Sequence, residues 1–394
     1  MDGVTLPPVE WRRRAGLDAL VDALGEARFV GGAVRDALLE MPVADVDLAT
    51  PLPPHSVIDR LKAAGIRAVP TGIEHGTVTA VLESGPVEVT TLRRDVSTDG
   101  RRATVAFTDD WQADAARRDF TINALYADPG TGQIFDYFNG LDDLSVRRVR
   151  FIGDPLQRIA EDHLRILRFF RFLARFGDTP DPAGLDACTA RARDLMALSR
   201  ERIADELLKL LVARDAVRVT GLMIERGIFA PVLPEVVSPD RLTALAQAEA
   251  AAAIAPDPIR RLGALLPQDP QLAEQIGARL KLSNNQRKRL VATATPHPES
   301  RPRALAYRLG VQTAVDALLL AGRSADAAQV STWAVPRLPI GGGALVAQGL
   351  AKGPDVARAL RAIEDQWVAE GFPEGSRVEE IVASVLAQAL RAHR

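Results

Sequence analysis

Within residues 28–50, RFVGGAVRDALLEMPVADVDLAT, an apolar, strand-like start at Phe29 and Val30 runs into Gly31-Gly32, a helix start and a second apolar run carrying Asp45 and Asp47. Side chains on a strand repeat every second residue, so both carboxylates are predicted to leave one face of that run. Two carboxylates side by side repel, and a fold that places them together needs a cation between them. Asp-x-Asp is common on solvated loops. What sets this one apart is the order of strand, glycine turn, helix and acid-bearing strand, which suits a divalent metal held against a phosphate.

At 394 residues the chain has room for two or three domains of ordinary composition. The first residues, MDGVTLPPVEW, lack a basic flank and an apolar core segment, and no later stretch offers roughly twenty uninterrupted apolar residues. Neither export nor membrane spanning is expected, which leaves the cytoplasm as the default compartment. The single Cys188 excludes an intrachain disulfide and a cysteine-based zinc cage. A net charge of -2 argues against a polyanionic partner only while the chain is taken whole. Between Arg147 and Phe176, eight arginines face Asp154, Glu161 and Asp162, a local excess of five positive charges able to meet phosphates.

The character of the chain changes near residue 150. Residues 28–127 carry β-type runs near 68–72, 77–82 and 87–92, which suits a small mixed sheet domain with helices. Residues 93–112, with Asp99, Gly100, Arg101 and Arg102, read as a mobile loop. From Asp154 onward almost everything reads helical, with Pro/Gly breaks near 231–239, 255–258, 296–302 and 335–343. The expected fold class is α+β: a helical lead-in over 1–27, a mixed-sheet domain over 28–150, and an all-α remainder, here divided into 151–215 and 216–394.

Gly153-Asp154-Pro155 starts a helix with Asp as cap and Pro in the first turn, predicted to run to about Phe176. Leu156, Ile159, Ile166, Phe170 and Leu173 fall on its packed stripe. Asp162 and Arg165 lie together along the flank, with Arg168, Arg171 and Arg175 opposite. The plain reading of Asp162 with Arg165 is an ion pair within the helix. A more specific reading is that a carboxylate, all acceptor, beside a guanidinium, all donor, matches the Watson–Crick edges of cytosine and adenine. Uracil and guanine present the reverse order, so such a pair selects C and A with no nucleic-acid template.

Residues 117–126, RRDFTINALY, gather Arg117, Arg118, Asp119 and Asn123. The arginines suit a triphosphate, and Asp119 or Asn123 suits ribose hydroxyls. A helix cap explains Asp119 and Thr121 equally well. Phe120, Ile122 and Leu125 are most simply core.

GGAVRD with DVD, then RRDFTINA, then GDPLQRIAEDHLRILRFFRF, in that order, resemble the bacterial tRNA nucleotidyltransferase / poly(A) polymerase family, in the class shared by eubacterial and eukaryotic enzymes. The resemblance is strong over 28–215 and weaker through ERIADELLKLL, LKLSNNQRKRL and GPDVARALRAIEDQWVAEGF. It implies a nucleotidyltransferase head over 28–150, a helical neck over 151–215 with a base-reading helix, and an RNA-binding body and tail. It further implies addition of CCA to the 3' end of tRNA from CTP and ATP. Asp45 and Asp47 would bind two magnesium ions, one activating the RNA 3' hydroxyl and the other steadying pyrophosphate.

Position by position, Gly31, Gly32 and Arg35 would contact the incoming triphosphate, and Arg117 or Arg118, with Asp119 and Asn123, would grip phosphate and ribose. Asp162 and Arg165 would read the base, with Arg168 and Arg171 supporting them, and Arg171 and Arg175 would meet RNA phosphates. Glu88 is a candidate third acid near the metals. The resemblance leaves open a poly(A) polymerase or an enzyme adding only CC or only A. A non-catalytic RNA-binding protein is a reading of another class. His163 stands where relatives often have proline, and GGGALV near 340 replaces Gly-x-Asp-Leu.

Overall fold

The computed structural model describes residues 4–99, 102–297 and 301–391. It divides into two compact units, 1–237 and 238–394.

The first unit begins with α1 (Leu17–Leu24), β1 (Arg28–Val30), α2 (Gly32–Leu38), β2 (Asp47–Thr50) and α3 (Pro54–Ala63). The hairpin-rich stretch follows as β3 (Arg67–Gly72), β4 (Thr77–Leu82), β5 (Gly85–Thr91), β6 (Arg93–Asp99) and β7 (Arg102–Phe107). Then come α4 (Trp111–Ala116), β8 (Leu125–Ala127), β9 (Ile134–Asp136) and α5 (Gly140–Ser145). Seven strands form one mixed sheet in the order β3-β4-β5-β2-β1-β8-β9. Only β2 and β5 run parallel in it, a pairing that sets Asp47 opposite Glu88.

Burial alternates through the acid-bearing run, with Val46 and Leu48 inward and Asp45 and Asp47 outward, so the two acids share a face as expected. The strand itself is shorter than expected. It starts at Asp47, and Asp45 stands just before it. Within the stretch expected as a loop, Arg93–Asp99 and Arg102–Phe107 are instead strands, β6 and β7, paired as an antiparallel ribbon, and α4 begins at Trp111. Gly100 and Arg101 lie outside the described residues.

The predicted helix over 155–176 is two helices, α6 (Pro155–Glu161) and α7 (Arg165–Phe176). Asp154 caps α6 as read, accepting from Gln157 N–H at 2.8 Å. The break lies at Asp162, which is extended at φ -151° and ψ 106° and accepts the Leu164 N–H at 3.1 Å. A short polar side chain offers the backbone an alternative to the helical ladder, and Asp takes it here. His163 therefore occupies a turn rather than a helix. Leu156, expected on the packed stripe, is 49% exposed, whereas Ile159, Ile166, Phe170 and Leu173 are fully buried.

Three further helices, α8 (Pro182–Ala190), α9 (Arg200–Leu211) and α10 (Ala216–Glu225), complete the first unit. Phe120 from the RRDF segment sits among Phe151, Phe172 and Phe169, with ring centroids 5.0, 5.1 and 6.3 Å away. Aromatic pairs of this geometry contribute about 0.5–1.5 kcal/mol each beyond their buried area. The cluster clamps RRDF onto α7 and so fixes the arginines on either side of it.

The second unit is helical, from the helix Asp240–Ala251 to the helix Ser376–Arg391. Pro258 and Pro302, within the breaks read from sequence, open helices at their first turn. Arg260, 1% exposed, is held by Glu249 at 2.7 Å and Asp316 at 3.2 Å, a buried charge with its partners in place.

Candidate active site

A cavity of about 800 Å³ brings together residues from the glycine turn, the acid pair, the RRD segment and α7. Its walls include Gly31, Gly32, Arg35, Asp45, Asp47, Arg117, Arg118, Asp119, Asn123, Asp162, Arg165, Arg168 and Arg171. Two expected residues are not among its walls. Glu88 stands beside Asp47 across the β2–β5 ladder, and Arg175 lies one helical turn beyond Arg171. Arg93 and Phe172 also line the cavity and were not singled out from sequence.

Gly31 has φ +67°, and a Cβ there would lie 3.4 Å from Arg118 Nη1 and 3.5 Å from the Asn123 carbonyl oxygen. Glycine lets the turn adopt this conformation while the guanidinium rests on it. Arg118 is thus the arginine laid against the glycine turn.

Behind it stands Asp114, 1% exposed and missed from sequence. It accepts from Arg117 Nε at 2.9 Å, Arg118 Nη2 at 3.1 Å, the Tyr126 hydroxyl at 2.7 Å and the Arg93 backbone N–H at 3.2 Å. Burial alone would raise its carboxyl, but Arg118, Arg117 and the Tyr126 hydroxyl hold it below the usual value. The spacing to the arginines, three and four residues along the chain, was a visible signal.

Asp119 is engaged in the same way. It accepts from Asn123 Nδ2 at 2.9 Å and from Arg168 at 2.7 and 2.5 Å. Burial pushes its carboxyl up, and Arg168 and Asn123 more than offset that. Arg35, 5% exposed, donates to Asp36 at 2.8 Å and to the Asn123 amide oxygen, and lies 4.0 Å over the Phe176 ring. Asp36 also takes Arg175 at 3.3 Å.

Asp162 and Arg165 do not pair with each other. Arg165 bonds Glu161 at 2.5 Å, one turn back, while Asp162, set in the helix break, takes Arg202 at 2.9 Å. Both still line the cavity, an acceptor and a donor held by separate partners. Arg165 also donates to the Arg117 carbonyl at 3.3 Å, and Arg158 to the Arg118 carbonyl at 2.7 Å. Arg165, Arg168 and Arg171 follow one face of α7 into the cavity, instead of splitting between flank and far side. Arg171 is bonded to Glu206 at 2.5 Å and sits 4.5 Å over the Phe172 ring. The His75 carbonyl accepts a hydrogen bond from Arg93, one of the residues lining the cavity.

Asp47 is the exception among these acids. Burial, then the neighbouring Glu88 charge, and to a smaller extent Asp45, push its carboxyl up to about 6, with Arg118 opposing. A cation between Asp45 and Asp47 would relieve that repulsion. The donors are all oxygen, the set magnesium takes when substrate phosphates and water fill its other positions.

A sheet that presents paired carboxylates beside a glycine turn and a rank of oriented arginines defines a nucleotidyltransferase-type enzyme. Residues 27–150 match the Poly A polymerase head domain, and residues 179–238 match the family described as probable RNA and SrmB-binding site of polymerase A. The human mitochondrial CCA tRNA nucleotidyltransferase 1 is 34% identical over 372 residues, covering 88% of this chain and 84% of that protein. The CCA-adding enzyme of Streptococcus gordonii is 45% identical over 210 residues, 53% of this chain and 49% of that one. Among solved structures, the Bacillus stearothermophilus CCA-adding enzyme in complex with CTP superposes with a TM-score of 0.71 at 26% identity, covering 95% and 97% of the two chains. The chain belongs to the tRNA nucleotidyltransferase / poly(A) polymerase family, in its bacterial-type class. Among the described residues, no helix is long and apolar enough to cross a membrane.

Proposed function

We propose that this chain is a template-independent RNA nucleotidyltransferase that completes or repairs the 3'-terminal CCA of tRNA from CTP and ATP in the cytoplasm, releasing pyrophosphate. One observation carries the reading: the acid pair, the RRD arginines and the Asp162/Arg165 couple open into a single cavity of about 800 Å³. That volume suits one nucleotide. Residues 28–150 act as the catalytic head, 151–215 as the neck, and 216–394 as the body and tail that grip RNA.

Two magnesium ions held by Asp45 and Asp47 would supply Lewis-acid charge at the α-phosphate and lower the pKa of the attacking 3' hydroxyl. Glu88 adds negative charge to that corner from the neighbouring strand. Arg118, laid on the Gly31 turn, and Arg117 grip the triphosphate, with Asp114 fixing their direction before substrate arrives. Arg35 and Asn123 brace each other beneath it, and Asp119 holds Arg168 where α7 meets the head. Asp162 accepts from the exocyclic amine of C or A, and Arg165 donates to the adjacent ring nitrogen. Because each is anchored by its own partner, Arg202 or Glu161, the pair stays oriented with no base bound.

The test is incubation with tRNA transcripts ending before CCA and single labelled nucleotides. Ordered incorporation of C, C and A is expected. Addition of many A residues to generic RNA, with no C, would overturn the CCA assignment in favour of a poly(A) polymerase.

A further inference from the structure

Arg158, in the last turn of α6, is 8% exposed and is not among the residues lining the cavity of the acid pair. It nonetheless ties two parts of that cavity together. Its Nη1 meets Glu161 at 2.7 Å, and its Nη2 donates to the Arg118 carbonyl at 2.7 Å. Its own carbonyl is among those at the end of α6 that have no partner within a helix, and it accepts from Arg165 Nη1 at 2.7 Å. Glu161 takes Arg165 as well, at 2.5 Å, and Arg165 Nη2 donates to the Arg117 carbonyl at 3.3 Å. One carboxylate thus holds two guanidinia, and each guanidinium grips one carbonyl of the Arg117-Arg118 pair.

This clasp acts at both of its ends. Donors of Arg165 are engaged by Glu161, the Arg158 carbonyl and the Arg117 carbonyl, which fixes the plane in which its remaining N–H groups meet a base. At the other end, Asp114 aims the Arg117 and Arg118 side chains, while Arg158 and Arg165 tie the main chain that carries them to α6 and α7. A buried guanidinium whose planar fork spans a carboxylate and a carbonyl is satisfied only while both stay in place.

We propose that Arg158 is a positioning residue that makes base choice and triphosphate grip one event. The proposal rests on the reading of the chain as an RNA nucleotidyltransferase and deepens it by joining the two halves of the nucleotide site. A base that offers an acceptor to Arg165 and a donor to Asp162 leaves the clasp closed, with Arg118 on the Gly31 turn. A base with the reverse order displaces the Arg165 guanidinium. Glu161 and the Arg158 carbonyl shift with it, Arg158 loses the Arg118 carbonyl, and the triphosphate is held less well. Misplacing a gripping group by about 1 Å costs on the order of a hundredfold in rate. The wrong base therefore forfeits phosphate contacts in addition to those on its own edge.

The experiment compares wild type with Arg158→Gln on a tRNA transcript ending before CCA, with CTP, ATP or UTP as the nucleotide. For the variant, the KM for CTP and ATP should rise about tenfold while kcat stays within about threefold. The ratio of kcat/KM for CTP to that for UTP should fall about tenfold. The affinity for the tRNA, by filter binding, should be unchanged. Should Arg158→Gln fail to fold, Arg158→Lys keeps the positive charge beside Glu161 but replaces the fork with one nitrogen, and a fall of about threefold in the same ratio is expected. An unchanged ratio in the variant that folds would overturn the proposal and leave Arg158 a structural residue. So would a fallen ratio with no rise in the KM for CTP, which would sever Arg158 from the triphosphate, or an equal loss of tRNA affinity, which would assign it to RNA. Failure of the wild type to add C or A sinks the functional reading instead, and calorimetric titration of both proteins with CTP and UTP still tests the clasp.

Discussion

Asp47 and Asp114 are carboxylates folded in beside the same cavity, and their surroundings push them in opposite directions. Asp114 collects four donors from three elements and is held below the usual carboxylate range. Asp47 is desolvated beside Glu88 and Asp45 and rises to about 6. The first corner is complete before substrate arrives: its charge is spent on aiming two arginines. The second is electrostatically unfinished and gains most from a cation. In the proposed reading, one head domain thus separates an arginine corner already aimed, where the triphosphate would be gripped, from a site whose anionic state depends on what binds it.

The contrast breaks most visibly at the acids. Asp45→Ala with Asp47→Ala should lower kcat for nucleotide addition on the order of a thousandfold or more, the loss expected when metal-borne transition-state charge goes. RNA affinity by filter binding should change little. Persistent transfer would remove the metal assignment from this corner.

Asp114→Asn probes the opposite corner. Released from their carboxylate, Arg117 and Arg118 should let the KM for CTP and ATP rise on the order of tenfold or more while RNA affinity holds. Stability, read from urea melts, should fall by about 3 kcal/mol, as when one partner of a buried charged group is removed. A variant equally unstable but with unaltered KM would make Asp114 a purely structural residue.

The two corners should also part with pH. Asp47 carries a folded pKa above its unfolded one, so its proton favours the fold fully below about 3.8, and that contribution is lost as pH rises through about 6. Metal binding runs the other way, because the ligand must be deprotonated. Magnesium affinity, followed by calorimetry, should fall up to about tenfold per unit below pH 6, with proton release on binding. Asp114, already ionised there, should add nothing to that slope. The smallest effect is reserved for Tyr126→Phe, which removes one donor from Asp114 and leaves both arginines. About 1 kcal/mol of stability and a change of less than threefold in nucleotide KM are expected.

Much of this was legible locally. The strand, Gly31-Gly32, helix and acid pair lie within residues 28–50, and alternation alone puts Asp45 and Asp47 on one face. The RRD segment and the capped start at Asp154 are equally compact signals. The break at Asp162 was written over by the strong apolar pattern around it. Its clue was the same residue's capacity to bond Leu164 N–H. Partners were harder to foresee than positions. Arg165 lies near Asp162 in sequence yet bonds Glu161, and Asp162 bonds Arg202, forty residues away. The ribbon of β6 and β7 escaped notice because two strands outside a packed sheet need no buried alternation.

Taken alone, the order of residues determined which chemical groups this protein owns: paired acids, a glycine turn, a rank of arginines and a helix-rich remainder, all set by local periodicity and residue type. Folding decided which of those charges are already satisfied. Asp114 meets Arg93 and Tyr126, Asp119 meets Arg168, and Asp47 meets Glu88 only because strands and helices distant in sequence are packed together. Whether a carboxylate aims an arginine or awaits a metal depends on the charges that burial brings within a few ångströms of it, and those come from elsewhere in the chain.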